Sequence, residues 1–118
     1  MLHRSPILIV EDEPLIAMNL AAEVESIGGL VVGPTATVAK AMIILGETEV
    51  LGAILDANLA DRDITPVAML LWERGTPFVL HSGKGIPGQL AAIIPGLSFI
   101  PKPELASAVV EYLCARLN

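Results

Sequence analysis

Five side chains able to do chemistry stand at the ends of short apolar runs. Glu11 and Asp12 follow "PILIV", Asp56 closes "GAILD", Ser82 ends "FVLHS", and Lys102 comes just after "SFIP". Removing a carboxylate such as Asp56 from water is costly unless it is paired, hydrated or bound to a cation. Clustered carboxylates repel one another until a cation neutralises them, and hard oxygen ligands suit Mg2+ or the similar Mn2+. A carboxylate beside such an ion can act as a nucleophile towards phosphorus, giving an aspartyl-phosphate. Phosphoryl transfer asks mainly for positioning and charge neutralisation, which a metal, a lysine and a hydroxyl can supply. Each residue also has an ordinary reading: Asp12 as a helix cap, Ser82 as a turn residue, Lys102 as a solvated loop charge. Only their convergence on one rim would favour a site.

That convergence depends on the elements that carry them. "PILIV" (6–10) is a continuous apolar run of the kind a strand covered on both faces needs. Pro14, after Asp12 and Glu13, marks a helix start, and Ile16, Leu20, Val24 and Ile27 form one helical face that Gly28 and Gly29 end. "LVVG" predicts a second strand, and "TVAKAMIILG" a second helix closed by Gly46. "GAILDA" predicts a third strand, 66–74 a third helix ended by Gly75, "TPFVLHS" a fourth strand and "LSFI" a fifth. The span 103–117 predicts a closing helix with Leu105, Val109, Leu113 and Leu117 on its inner side. Between the last two strands, "SGKGIPGQLAAIIPG" holds so many glycines and prolines that only a short or irregular fourth helix, within 89–94, is expected. Strands alternating with helices predict an α/β fold with a parallel sheet covered on both faces. In such sheets ligands bind beyond the carboxyl ends of the strands, where all five residues fall.

Composition narrows the function classes. The chain of 118 residues fits one domain, with 53% apolar residues and a mean hydropathy of +0.67. No run approaches the roughly 20 apolar residues of a membrane helix, and no export signal is evident. A single cysteine, Cys114, suits a reducing cytoplasm. Thirteen acids against seven bases give a net charge of −6, which argues against direct nucleic-acid binding. "SGKG" is not a phosphate-binding loop, because Phe78 stands where that motif needs glycine and Gly85 where it needs Ser or Thr. His81 and Ser82 lack the nucleophile elbow of a serine hydrolase. A dehalogenase-like phosphatase would place its acidic pair last, whereas here it comes first.

"ILIVEDEP", "AILDANL", "FVLHSG" and "FIPKP", in that order and over nearly the whole chain, resemble the receiver domain of two-component response regulators (the CheY-like superfamily). Asp12 and Asp56 lie 44 positions apart, as in that family. The resemblance implies a single receiver domain over 1–118, flavodoxin-like and doubly wound, with five strands in the order 2-1-3-4-5. It also implies roles. Asp56 would accept phosphate from the phosphohistidine of a sensor histidine kinase or a histidine phosphotransfer protein. Glu11, Asp12, Asp56 and the backbone carbonyl of Asn58 would hold Mg2+ (or Mn2+). Ser82 and Lys102 would bind the phosphoryl group, with Ser82 and Phe99 as the switch pair. Lys102–Pro103 would be a cis peptide. Phosphorylation would reshape the face of helix four, strand five and helix five towards a downstream protein partner. The implied setting is the bacterial cytoplasm, with no direct membrane or nucleic-acid contact and no turnover chemistry. The rival within this family is a receiver kept as an unphosphorylated binding module.

More closely, "VEDEPLIAMNL", "VVGPTATVAKA" and "ERGTPFVLHSGKG" resemble stand-alone bacterial receivers served by kinases of the histidine-tryptophan-glutamate type. Many of those carry "FATGY" where this chain has Leu80 to Lys84, "LHSGK". Two of the departures matter physically. Lys84, two residues beyond Ser82, is a candidate for tuning the lifetime of the phosphate. His81, adjacent to Ser82 on a strand, should face away from it, as a partly buried, hydrogen-bonded histidine.

Overall fold

In a computed structural model, which describes residues 2–97 and 99–117, strands and helices alternate from end to end. The order is β1 (Pro6–Val10), α1 (Pro14–Ser26), β2 (Leu30–Thr35), α2 (Val38–Glu47), β3 (Gly52–Asp56), α3 (Thr65–Arg74), β4 (Phe78–Ser82), α4 (Gly88–Ile93), β5 (Phe99–Pro101) and α5 (Ala106–Leu117). All neighbouring strands are parallel, in the order β2-β1-β3-β4-β5, so the expected doubly wound sheet is present.

The two-residue period of the strands divides the core between two faces. Leu8, Val10, Ala53, Leu55 and Leu80 pack with α2, α3 and α4, while Ile7, Ile9, Ile54 and Val79 pack with α1 and α5. Because both faces are covered, β1 and β3 up to Asp56 are apolar at every position, which explains the unbroken runs in the sequence. Burying each Leu or Ile fully contributes roughly 1.5–3 kcal/mol.

Several boundaries differ from expectation. Helix α2 runs through Gly46 to Glu47; Thr37 caps its start by accepting the Lys40 N–H at 3.2 Å. Strand β2 continues past Gly33 to Thr35 through a cis Gly33–Pro34 peptide, with a shift of register against β1. α5 begins at Ala106, so Leu105 precedes the helix and is 71% exposed, contrary to its expected inner position. Val109 and Leu113 are buried as expected, and Leu117 is half-buried. Glu13, not Asp12, stands at the α1 N-cap, and its side chain makes no capping bond. Part of the expected fifth strand, Ser98, lies outside the described residues.

Candidate functional site

Each strand end delivers one part of the site. The Glu11 N–H donates to the Thr35 carbonyl at 2.9 Å, extending the β1–β2 pairing by one residue and turning Glu11 and Asp12 over the rim. At the end of β3, Asp56 accepts the Asn58 N–H on Oδ1 at 3.3 Å. The loop that follows is tied: Asn58 bridges Asp63, the Leu59 N–H donates to the Arg62 carbonyl, and Asp63 accepts the Thr65 N–H at 2.8 Å. Past β5, the Lys102 N–H donates to the Ser82 carbonyl at 2.9 Å, locking the ends of β4 and β5 together. The Lys102–Pro103 peptide is cis.

Lys102 carries the central contact. Its ammonium lies 3.0 Å from Glu11 Oε1, donates to Glu11 Oε2 at 3.2 Å and stands 3.3 Å from Asp56 Oδ2. Glu11 and Asp56 are buried, at 3% and 6% exposure, and Asp12 is half-buried. Ligand oxygens of Glu11, Asp12 and Asp56 all lie within 4.8 Å of one another.

The electrostatics follow from that crowding. Burial, together with hydrogen bonding to Asp56, pushes the Glu11 carboxyl up to about 7, with Lys102 and the Glu13 N–H pulling the other way. Burial and the Asp56 charge also raise the Asp12 carboxyl. Burial disfavours the Lys102 charge, but the hydrogen bond and charge of Glu11, together with Asp56, outweigh it and hold the ammonium above its ordinary pKa. Three carboxylates against one ammonium leave surplus negative charge in a small volume. An all-oxygen donor set of this kind fits a hard divalent cation.

The remaining predicted residues lie around this centre. Ser82 is fully buried; its hydroxyl donates to the Gly85 carbonyl at 2.8 Å and accepts the Lys84 N–H at 3.1 Å. The Lys84 side chain is exposed. Phe99 is half-buried, and its ring faces Gly85: a Cβ built at Gly85 would meet Phe99 Cζ at 3.9 Å. His81 faces the α1/α5 side, away from Ser82, but the expectation of a partly buried, hydrogen-bonded ring fails. The ring is 3% exposed, and neither nitrogen has a hydrogen-bond partner among the described residues. The apolar faces of α1 and α5 close over this side of β4, and the polar residues nearest the ring, Glu13, Asn19 and Glu104, make no hydrogen bond to it.

One positioning residue was not foreseen. Asp61, in the β3–α3 loop, accepts the Val38 and Ala39 N–H groups on its two oxygens, each at 3.1 Å, clamping that loop to the first turn of α2. These bonds, that of Val38 foremost, lower the Asp61 carboxyl pKa. An acid shortly after Asp56 was visible in "DANLADRD", but its partner 23 residues earlier was not.

No family model matches the chain. Against curated proteins, 56 residues, 47% of the chain, are 52% identical to the phyllosphere-induced regulator PhyR of Methylorubrum extorquens, covering 21% of that longer protein. The match thus spans about a fifth of that relative. Among solved structures, SdrG from Sphingomonas melonis Fr1 is 36% identical over 99% of this chain and 98% of its own, with a TM-score of 0.76. A BeF3-activated conformation of SdrG, from Pseudomonas melonis Fr1, is 35% identical over the whole of both chains, with a TM-score of 0.73. A response regulator receiver protein from Sinorhizobium medicae shares the fold at a TM-score of 0.82 and 22% identity, over 100% of this chain and 98% of that one. The full-length match to SdrG, the sheet order and the acidic rim agree: the chain belongs to the CheY-like receiver domains of response regulators.

Proposed function

We propose that the domain, as one receiver over 1–118, is a phosphoacceptor in two-component signalling. The observation that carries this reading is Lys102 in contact with both Glu11 and Asp56 inside a cluster of three carboxylates. An Asp56 carboxylate oxygen attacks the phosphorus of a phosphohistidine, on a sensor kinase or a histidine phosphotransfer protein. The P–N bond breaks, and its electron pair leaves with the donor imidazole, which takes up a proton. Glu11, Asp12 and Asp56 with the Asn58 carbonyl would hold Mg2+ (or Mn2+), which when bound neutralises charge on the attacking carboxylate and the phosphoryl oxygens.

The chain's own residues do the rest. Lys102 exchanges part of its contact with Glu11 and Asp56 for a phosphoryl oxygen. Ser82 trades the Gly85 carbonyl for a second phosphoryl oxygen, which frees the segment from Gly83 onward and lets Phe99 follow. The response appears on the α4–β5–α5 face, where a downstream protein would read it. Lys84 is placed to alter phosphate lifetime only if its flexible stem folds back over Asp56.

Two observations support this reading from outside the chain. The related SdrG has a BeF3-activated conformation, and the receivers it resembles are signalling modules, not turnover enzymes. No helix among the described residues is long and apolar enough to cross a membrane, which agrees with a cytoplasmic setting. Kinases of the histidine-tryptophan-glutamate type are the donors to test first.

Incubating the chain with radiolabelled acetyl phosphate tests the proposal. Mg2+-dependent label that is absent from Asp56→Asn is expected. A chain that stays unlabelled with Mg2+ and every kinase tried would be a receiver retained as a binding module.

A further inference from the structure

The end of the sheet opposite the acidic rim carries an open groove. Two hollows, of about 420 and 220 Å3, share Trp72, Phe78, Leu97 and Arg116 and so form one channel. Phe78 opens β4 and Ser82 closes it, so the groove and the rim lie at opposite ends of that strand. Trp72 comes from the last turn of α3, Ile94 and Leu97 from the segment after α4, and Tyr112 and Arg116 from the second half of α5.

Two features of the lining define what would fit it. The first is apolar surface. Trp72 is 53% exposed, and Phe78 and Leu97 beside it are only half-buried. Large apolar side chains gathered into one exposed patch mark contact sites. The second is charge. The chain carries a net −6, yet no Asp or Glu lines the groove, and its one charged group is the Arg116 guanidinium. That guanidinium is held in place: Cζ lies 3.4 Å from the centre of the Tyr112 ring, and Nη1 donates to the Tyr112 carbonyl at 3.0 Å. Both ion pairs among the described residues belong to Lys102, so none of their carboxylates engages Arg116.

We infer that this groove is a docking site for a short segment of a partner protein that presents a large apolar side chain beside an Asp or Glu. The apolar side chain lies against Trp72, Phe78 and Leu97, and the carboxylate accepts paired N–H groups of Arg116. A free small molecule suits the groove less well. Small-molecule sites enclose most of their ligand, whereas Trp72, Pro95, Gly96 and Arg116 are exposed along this channel. Trp72 and Phe78 stand outside the α4–β5–α5 face, and docking here does not require phosphorylation of Asp56.

Trp72 is the single tryptophan of the chain, so its fluorescence reports on the groove directly. The test is a titration of the whole unphosphorylated chain, at constant ionic strength, with acetyl-Glu-Phe-Leu-Glu-amide, which has a carboxylate on either side of its apolar pair. A saturable change in Trp72 emission is expected, with a dissociation constant on the order of 1 mM. Replacing both Glu of the peptide by Gln should weaken binding about fivefold or more, and Arg116→Gln in the protein should do the same. Trp72→Ala, followed by 15N NMR at the Gly75 and Leu97 amides, should weaken it by a similar factor. No saturable change, or equal binding of the Gln peptide, would overturn the inference. So would 3-phenylpropionate binding as tightly as the peptide, which would make the occupant a small molecule. Sedimentation showing a dimer that the peptide does not disturb but Trp72→Ala dissolves would give the groove to a second copy of the chain instead.

Discussion

The Ser82 hydroxyl donates to the Gly85 carbonyl at 2.8 Å, closing a small turn over which the Phe99 ring lies. The same oxygen that would greet a phosphoryl group is therefore already holding the start of the β4–α4 segment. Gly85 has φ +85°, a conformation that costs a residue with a Cβ roughly 1–2 kcal/mol. Ser82→Ala should release the turn: faster amide exchange at Lys84, which loses its acceptor, and loss of the Lys84 amide shift that beryllofluoride induces in the parent. An unaltered Lys84 amide in both measurements would uncouple Ser82 from this segment.

Lys102 competes with any cation for Glu11 and Asp56. Lys102→Met should slow phosphorylation by about tenfold or more, because a charge aimed at the phosphoryl oxygens is gone. Mg2+ should nevertheless bind severalfold tighter, since a like charge about 3 Å from two of the carboxylates has been removed. Calorimetric titration distinguishes this from general damage, which would weaken metal binding and phosphorylation together.

Glu11 makes stability depend on pH. A carboxyl with its folded pKa raised from 4.5 to about 7 favours the fold below about 4.5, and that contribution is lost as the pH rises through about 7. The loss is on the order of 3 kcal/mol in metal-free protein. Glu11→Gln lacks it, so the variant should gain on the parent in urea unfolding as the pH is raised from 4.5 to 7. Saturating Mg2+ should shrink the gain. A difference between the two chains that stays flat across this window would remove Glu11 as the cause.

His81 has the opposite sign. Burial lowers its pKa below the ordinary 6.5, so the neutral ring contributes stability above 6.5 that is lost as the pH falls towards the lowered folded value. Relative to His81→Gln, the parent should lose stability on acidification below 6.5. Identical acid limbs would contradict a buried neutral ring.

Asp61 clamps the loop after Asp56 to α2. Asp61→Asn keeps only one acceptor oxygen and no charge, so the Val38 and Ala39 amides should exchange faster. Asp61→Ala should add a modest fall in Tm. Protection of both amides unchanged in Asp61→Ala would mean that Thr37 alone caps the helix.

Much of the architecture was legible in the chain because parallel strands covered on both faces read as near-continuous apolar runs. That pattern made β1 and β3 visible as unbroken runs and put Glu11, Asp12 and Asp56 just beyond them. The chemistry of the rim was legible for the same reason: a carboxylate ending an apolar run is costly without a partner. Element ends were less legible. Leu105 kept the helical spacing of Val109 and Leu113, yet α5 starts only at Ala106, beyond the cis Lys102–Pro103 peptide.

Residue types and order thus determined by themselves which groups are present and on which rim of the sheet they fall. Tertiary structure alone decided who touches whom. Lys102 reaches two carboxylates instead of solvent, Asp61 finds amides 22 and 23 residues back, and neither buried nitrogen of His81 finds a partner among the described residues where a hydrogen bond was expected. The physical reason is reach: local pattern sets the direction of a side chain along its own element, whereas its partner is set by how separate elements pack.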